Sequence, residues 1–187
     1  MIPSETYQKM IQVAAKYPVF FLPLERPSPE HDQEVAHEFF FMQWDFYDPP
    51  PHPLLTPGTP FDEQLPGPPP SATPNPQPVT VLFTTLQEYK LRQTFALPYL
   101  VLTFYTDLAT THDIVLMRGE LTASPTSSEK YLLSQEDAQK LGVNLQRFYL
   151  PEDGDKYAER AELLKSFHEK PVTFEWEKLL SVAKLGV

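Results

Sequence analysis

The chain has 187 residues, 41% of them hydrophobic and 13% aromatic, which is enough for one domain with a sizeable core and excludes general disorder. Fifteen basic residues against 25 acidic ones give a net charge of −10, and no run of Lys or Arg is present, so a nucleic-acid phosphate backbone is not an expected partner. Cysteine is absent, which excludes disulfides, thiolate metal sites and a cysteine nucleophile, and no stretch approaches the ~20 apolar residues of a membrane span.

The first ten residues, MIPSETYQKM, show neither the basic start and apolar centre of a signal peptide nor the Arg-rich, acid-poor character of a transit peptide. Ser4 is placed to cap a helix over residues 5–16, where Tyr7, Met10, Ile11 and Ala14 recur at helical spacing. Pro18 ends that helix, and VFFLPL (19–24) follows as a strand. Pro23 lacks an amide donor, which puts this strand at a sheet edge. A polar connector leads into HEFFFMQWDFYD (37–48), six aromatic side chains and a methionine in twelve residues. Side chains alternate along a strand, so Phe40, Met42, Trp44 and Phe46 share one face while Phe39 and Phe41 point the other way. Both faces then need cover.

Residues 49–78 hold thirteen prolines in thirty, with Asp62 and Glu63 their only charges. Such a segment cannot pair in a sheet or continue a helix, and it reads as a proline-rich loop inserted between two strands of a single domain spanning 1–187. A role as a polyproline ligand is the weaker reading, because no basic residue flanks the prolines. VTVLFT (79–84) is the next strand, and Thr85 opens a helix through a Thr-x-x-Glu capping box with Glu88. PYLVLTFY (98–105) and DIVLMRGEL (113–121) are two further strands, joined by a short polar link with Asp107 and His112. Ser134 caps the clearest helix, with Asp137 closing the box and Ala138, Leu141, Leu145, Phe148 and Tyr149 as its apolar stripe. Two more helices are expected around 157–167 and 174–183, the second capped by Thr173. Strand links too short for helical crossovers predict an α+β fold: a mostly antiparallel sheet with helices packed mainly on one face.

Chemistry-bearing patterns are scarce. His31, His37, His52, His112 and His168 show no zinc spacing, the six glycines form no phosphate loop, and no GxSxG elbow exists. No catalytic residue, metal ligand or cofactor is expected. The competing class is a small α+β enzyme or ligand-binding domain with a pocket at the strand ends, built from Asp107, His112 and Glu120. The two-faced strands are more informative. In DIVLMRGEL, Val115, Met117 and Leu121 face one way and Ile114, Leu116, Arg118 and Glu120 the other. Phe20, Leu22 and Leu24 oppose Val19 and Phe21; Leu100, Leu102 and Phe104 oppose Tyr99, Val101 and Tyr105. Either helices cover both faces, which composition favours, or the second face is partly open to a protein.

The blocks IPSETYQKMIQVAAKYPVFFLPL, HEFFFMQW, LFTTLQEYK, HDIVLMRGEL and LSQEDAQKLGVNLQRFYL, in this order, resemble the mitochondrial ATP synthase F(1) assembly chaperones that bind the free β subunit. The resemblance covers nearly the whole chain outside the proline-rich and Ser/Thr-rich segments, and no block is a catalytic signature. It implies a non-enzymatic, cofactor-free protein of the mitochondrial matrix. Such a protein binds the β subunit of the catalytic head and masks its apolar interface until the α subunit replaces it. The family's usual length also includes an N-terminal leader and a helical segment that this sequence does not show. On this expectation the second face is the client surface, formed by Phe39, Phe41, Ile114, Leu116 and Arg118 with Glu120 at its rim, aromatics and Arg being enriched at binding hot spots. The plainer reading of Arg118 and Glu120 is an exposed same-face ion pair worth under ~1 kcal/mol.

Overall fold

Two periodicities divide the labour: residues alternating in pairs build a sheet, and residues at helical spacing build the layer that covers it. The computed structural model describes residues 1–27, 35–49, 74–125, 127–151 and 155–184. The strands are β1 (Ile2–Pro3), β2 (Val19–Pro27), β3 (Val35–Phe46), β4 (Val79–Thr85), β5 (Leu100–Tyr105) and β6 (Ile114–Leu121), followed by a small hairpin of β7 (Ala123–Ser124) and β8 (Ser127–Tyr131). The helices are α1 (Ser4–Lys16), α2 (Leu86–Arg92), α3 (Ala109–His112), α4 (Gln135–Tyr149), α5 (Asp155–Glu169) and α6 (Trp176–Ala183).

The first six strands form one antiparallel sheet in the order β1-β6-β5-β4-β3-β2. This is the expected α+β class. β2, the strand interrupted by Pro23, takes an edge as that proline requires. Residues 50–73, most of the proline-rich segment, lie outside the described residues, as do His31 and His52. On either side of that segment β3 and β4 pair directly, with Phe46 opposite Val79, and the Tyr47 N–H donates to the Pro78 carbonyl at 3.1 Å.

One face of the sheet is covered by helices over most of its width. Phe20, Leu22 and Leu24, then Phe40, Met42 and Trp44, then Val79, Val81 and Phe83, then Leu100, Leu102 and Phe104, and finally Val115 are all buried on it. Tyr7, Met10 and Ala14 of α1, Leu141, Leu145, Phe148 and Tyr149 of α4, Leu163 and Leu164 of α5, and Leu179 and Ala183 of α6 close over them. Aromatic rings set the spacing of this layer. Trp44 packs 6.0 Å from Phe104 and 5.0 Å from Tyr149, and Tyr7 lies 5.6 Å from Phe104. The buried Tyr149 hydroxyl donates to the Tyr17 carbonyl at 2.8 Å, joining the last turn of α4 to the residue that ends α1. Burial raises the pKa of that hydroxyl, so it remains a donor.

The caps at Thr85 and Ser134 form as the spacing predicts: each hydroxyl accepts the N–H three residues on, at 3.2 Å from Glu88 and 3.1 Å from Asp137. The Asp137 carboxylate has a further task. It pairs with Arg26 of β2, which also reaches Glu38 of β3 at 2.8 Å, so one guanidinium clamps two strands to the start of α4. Two other caps differ from expectation. Ser4 is the first residue of α1, and its N–H donates to the Asp113 carbonyl at 3.1 Å, because pairing of β1 with β6 fixes where the helix begins. Thr173 ends a 3-10 turn that opens on Pro171; its hydroxyl turns back to the Lys170 carbonyl, and α6 starts at Trp176.

Removing the Tyr149 hydroxyl leaves the Tyr17 carbonyl without its donor. Tyr149→Phe is therefore expected to lose about 1–3 kcal/mol in a urea titration with the slope unchanged. At Asp137, burial pushes the carboxyl up, but hydrogen bonds from Arg26 and Ser134 and the charges of Arg26 and Lys140 outweigh it and hold the group below the usual carboxylate range. A depressed folded pKa means the unfolded chain binds more protons, so this stabilisation is present above the unfolded value, about pH 4, and disappears as pH falls through the folded one. Asp137→Asn should lower the melting temperature at pH 7 by about 2–4 °C and remove that part of the acid dependence in a pH series of thermal melts.

Candidate functional site

The opposite face of the sheet has thinner cover, and two different devices supply it. Over β3 and β4 runs α2, whose Tyr89 stacks on Phe41 with ring centroids 4.2 Å apart and planes 26° from parallel. Phe39 is covered from the sheet edge instead. Phe21 meets it at 5.6 Å, and Phe21 in turn packs against Phe167 of α5 and Phe174 just before α6, each at 5.4 Å. Phe39 and Phe41 are accordingly half-buried, neither sealed nor free.

Toward β6 the cover ends. Ile114 is half-buried, while Leu116 is 37% exposed beside its cross-strand neighbour Tyr105 at 39%. Arg118 and Glu120 are exposed and paired with each other at 2.8 Å. The six residues singled out from the sequence thus share one face but fall into two groups. β4 and β5 lie between β3 and β6, a separation of about 14 Å at ordinary strand spacing. Half-buried Leu82 and Val101, paired across β4 and β5, form an apolar bridge between the groups, with Asp45, Thr80, Thr103 and Arg118 as a polar row beside it.

Sequence reading missed the most exposed part of this region. Gln93 has φ 48°, a left-handed conformation that side chains other than Gly rarely adopt. It ends α2 and turns the chain into a short 3-10 segment, Gln93–Phe95. The last turn of α2 and the segment after it form an arm that carries Leu91 at 74%, Phe95 at 87% and Leu97 at 43% exposure. Beneath it lies a groove of about 300 Å³ lined by Phe41, Gln43, Leu82, Thr84, Tyr89, Gln93, Ala96 and Pro98. A signal for the arm existed. Leu91 is off the Leu86–Tyr89 stripe, and Phe95 precedes the β5 alternation, so neither belongs to a core-facing period.

The strand-end pocket does not assemble. His112 ends α3, is exposed, and shares a 2.8 Å hydrogen bond with the Thr111 hydroxyl; Asp113 after it is left-handed, with φ 55°. Asp107 lies in the turn before α3, whereas Glu120 is near the far end of β6, about 20 Å along the strand from Ile114. An apolar groove of about 310 Å³ does exist on the core side, between β6 and α4, but its lining of Leu100, Leu102, Met117, Gly119, Leu121, Gln135, Ala138, Gln139, Gly142, Val143 and Gln146 contains no titratable group. Among the described residues no cluster of His, Asp or Glu is placed to hold a metal ion, and no helix is long and apolar enough to cross a membrane.

The family described as "ATP11 protein" has a sequence model that matches residues 1–180. The chain is also 30% identical over 179 residues to "Protein atp11, mitochondrial" of Schizosaccharomyces pombe, an alignment covering 95% of this chain and 48% of that protein. It therefore spans about half the length of the relative.

If the arm has no role in the fold, its exposed residues are dispensable to stability. Leu91→Ser/Phe95→Ser should shift the free energy of unfolding by less than about 0.5 kcal/mol, whereas Tyr89→Ala, which uncovers Phe41, should lose about 1–2 kcal/mol, both read by urea denaturation.

Proposed function

This chain belongs to the ATP11 family, and from that premise we propose that it is an assembly chaperone for the catalytic head of ATP synthase in the mitochondrial matrix. It binds the free β subunit and masks that subunit's apolar interface until the α subunit replaces it. The work is binding, without cofactor or catalytic step. The observation that carries this reading is the arm of Leu91, Phe95 and Leu97, held out beside a sheet face that the main helix layer does not cover.

The energetics of the arm support a client. Each fully exposed large apolar side chain forgoes roughly 1.5–3 kcal/mol of burial, and contiguous exposed patches on a protein surface mark interaction sites. Burial of the arm against another apolar surface recovers that free energy in both partners. Phe39 and Phe41 support the contact from below, Ile114 and Leu116 extend it across the sheet, and Arg118 with Glu120 at the rim favours one orientation over others. Because Phe39, Phe41 and Ile114 are already half-covered, they add little newly buried area. The contact is then of the standard ~1,600 Å² class or smaller, which suits release to a second subunit better than an obligate interface does.

Isolated β subunit immobilised on resin should capture the wild-type chain, and the wild-type chain should suppress β-subunit aggregation at stoichiometric amounts without nucleotide or metal. Leu91→Ser/Phe95→Ser should bind at least tenfold more weakly with an unchanged circular dichroism melt. Capture of that double variant as strong as wild type would falsify the placement of the contact on the arm.

A further inference from the structure

The outer edge of β6 is open over most of its length. β1 pairs with it at Ile114 and Val115 only, and among the described residues no strand pairs with that edge from Leu116 to Leu121. Antiparallel alternation identifies the unpaired backbone groups. The Thr122 N–H donates inward to the Tyr99 carbonyl, so Glu120 and Arg118, of the same parity, bond toward β5. Met117, Gly119 and Leu121 then turn their N–H and C=O groups outward. The Asp113 carbonyl, of this second parity, accepts from Ser4 on that same outer side. Natural edges are usually blunted by charged side chains, proline or a bulge; this stretch has no proline, pairs with β5 without a register shift, and its two charges, Arg118 and Glu120, are opposite in sign.

We propose that this edge pairs with the same edge of a second copy of the chain, about a two-fold axis at Gly119, so that the sheet continues across a homodimer. The strand is self-complementary under that operation. Antiparallel pairing centred on Gly119 sets Arg118 opposite Glu120 of the second copy and Glu120 opposite its Arg118. On the other face Met117 meets Leu121, again twice. Sliding by one step in either direction sets Arg118 against Arg118 or Glu120 against Glu120, so the charges select a single register. Arg118 and Glu120 are exposed and paired within the chain at 2.8 Å, so pairing across the axis exchanges or shares this intrachain ion pair.

The core side of the edge fits the same occupant. The groove between β6 and α4 has a floor containing Leu102, Met117 and Leu121 and opens beside this edge. Incoming Met117 and Leu121 side chains lie against it and cover Val143, which is 46% exposed. At Gly119 an added Cβ would stand 3.2 Å from Leu102 Cδ2 and press on that side chain, and the bare backbone lets the two strands close at the axis. The outward pairs Met117–Leu121, Gly119–Gly119 and Leu121–Met117 supply about six backbone hydrogen bonds.

Sedimentation velocity of the 187-residue chain over a concentration series to about 200 µM tests this, with thermal melts confirming that each variant is folded. Wild type should show a concentration-dependent dimer. Arg118→Glu and Glu120→Arg should each weaken it at least tenfold, since each places two like-charge pairs across the axis. An equimolar mixture of the two single variants should recover dimer, because every cross-strand pair is again opposite in sign. The double variant Arg118→Glu/Glu120→Arg should dimerise as wild type does. A wild-type chain that stays monomeric throughout, single variants that dimerise undiminished, or a mixture that fails to recover dimer each overturns the proposal. None of these readouts involves the β subunit, so they leave the chaperone reading untouched.

Discussion

The hydrogen bond from the Tyr149 hydroxyl to the Tyr17 carbonyl sits at the junction on which the rest of the molecule depends. Each of the main helices carries a single apolar stripe, and each must be buried against the same sheet face. Tyr149 settles how two of them meet. Its ring packs on Trp44 of β3 while its hydroxyl ties the end of α4 to the end of α1. With α1 and α4 fixed there, α5 and α6 fill in beside β2 and wrap its edge through Phe167 and Phe174. The whole helical layer is then committed to one side. The thin cover of the other side follows from this commitment and not from any shortage of helix.

Two chemically different features stand out on this surface. The second face offers apolar side chains: the arm at the end of α2, with a half-covered aromatic floor under it. The β6 edge offers backbone, an unpaired row of donors and acceptors with a charge pair on one flank and an apolar groove on the other. The first suits an apolar partner surface with little demand on its shape, which is the kind of partner the proposed function calls for. The second demands an extended strand in a fixed register. The two surfaces meet at the Arg118–Glu120 pair, which lies at the rim of the first and on the flank of the second.

The division of the strands into faces was legible in the sequence because a period of two leaves no ambiguity once Phe40, Met42 and Trp44 are set inside. Pro23 marked the edge strand, and Thr85 and Ser134 marked helix starts, since these effects are local to the backbone. Ser4 and Thr173 failed as caps for the opposite reason: pairing of β1 with β6 starts α1 at Ser4 itself, and the Thr173 hydroxyl turns back to the Lys170 carbonyl within the 3-10 turn. The cover of Phe39 could not be read either. It depends on Phe167 and Phe174 reaching round β2, a contact between residues far apart in the chain. Strand order was equally hidden, and with it the separation of Phe39 and Phe41 from the Arg118–Glu120 pair. Leu91 and Phe95 were missed, although both lie off any core-facing period, which is the signal that could have marked them as exposed.

The net charge of −10 decides how these features coexist. Copies of a uniformly acidic chain repel one another, and that repulsion keeps three exposed apolar side chains on the arm from becoming a general aggregation site. The β6 edge is locally exempt. Arg118 and Glu120 cancel, and the polar residues at the groove beside them are Gln135, Gln139 and Gln146, all uncharged. At a physiological Debye length of about 8 Å the distant acidic groups are largely screened from this edge. Two copies can therefore approach edge to edge where they cannot approach indiscriminately, and whether they do so rests on five residues, Met-Arg-Gly-Glu-Leu, that set apolar against apolar and charge against opposite charge when laid antiparallel on themselves.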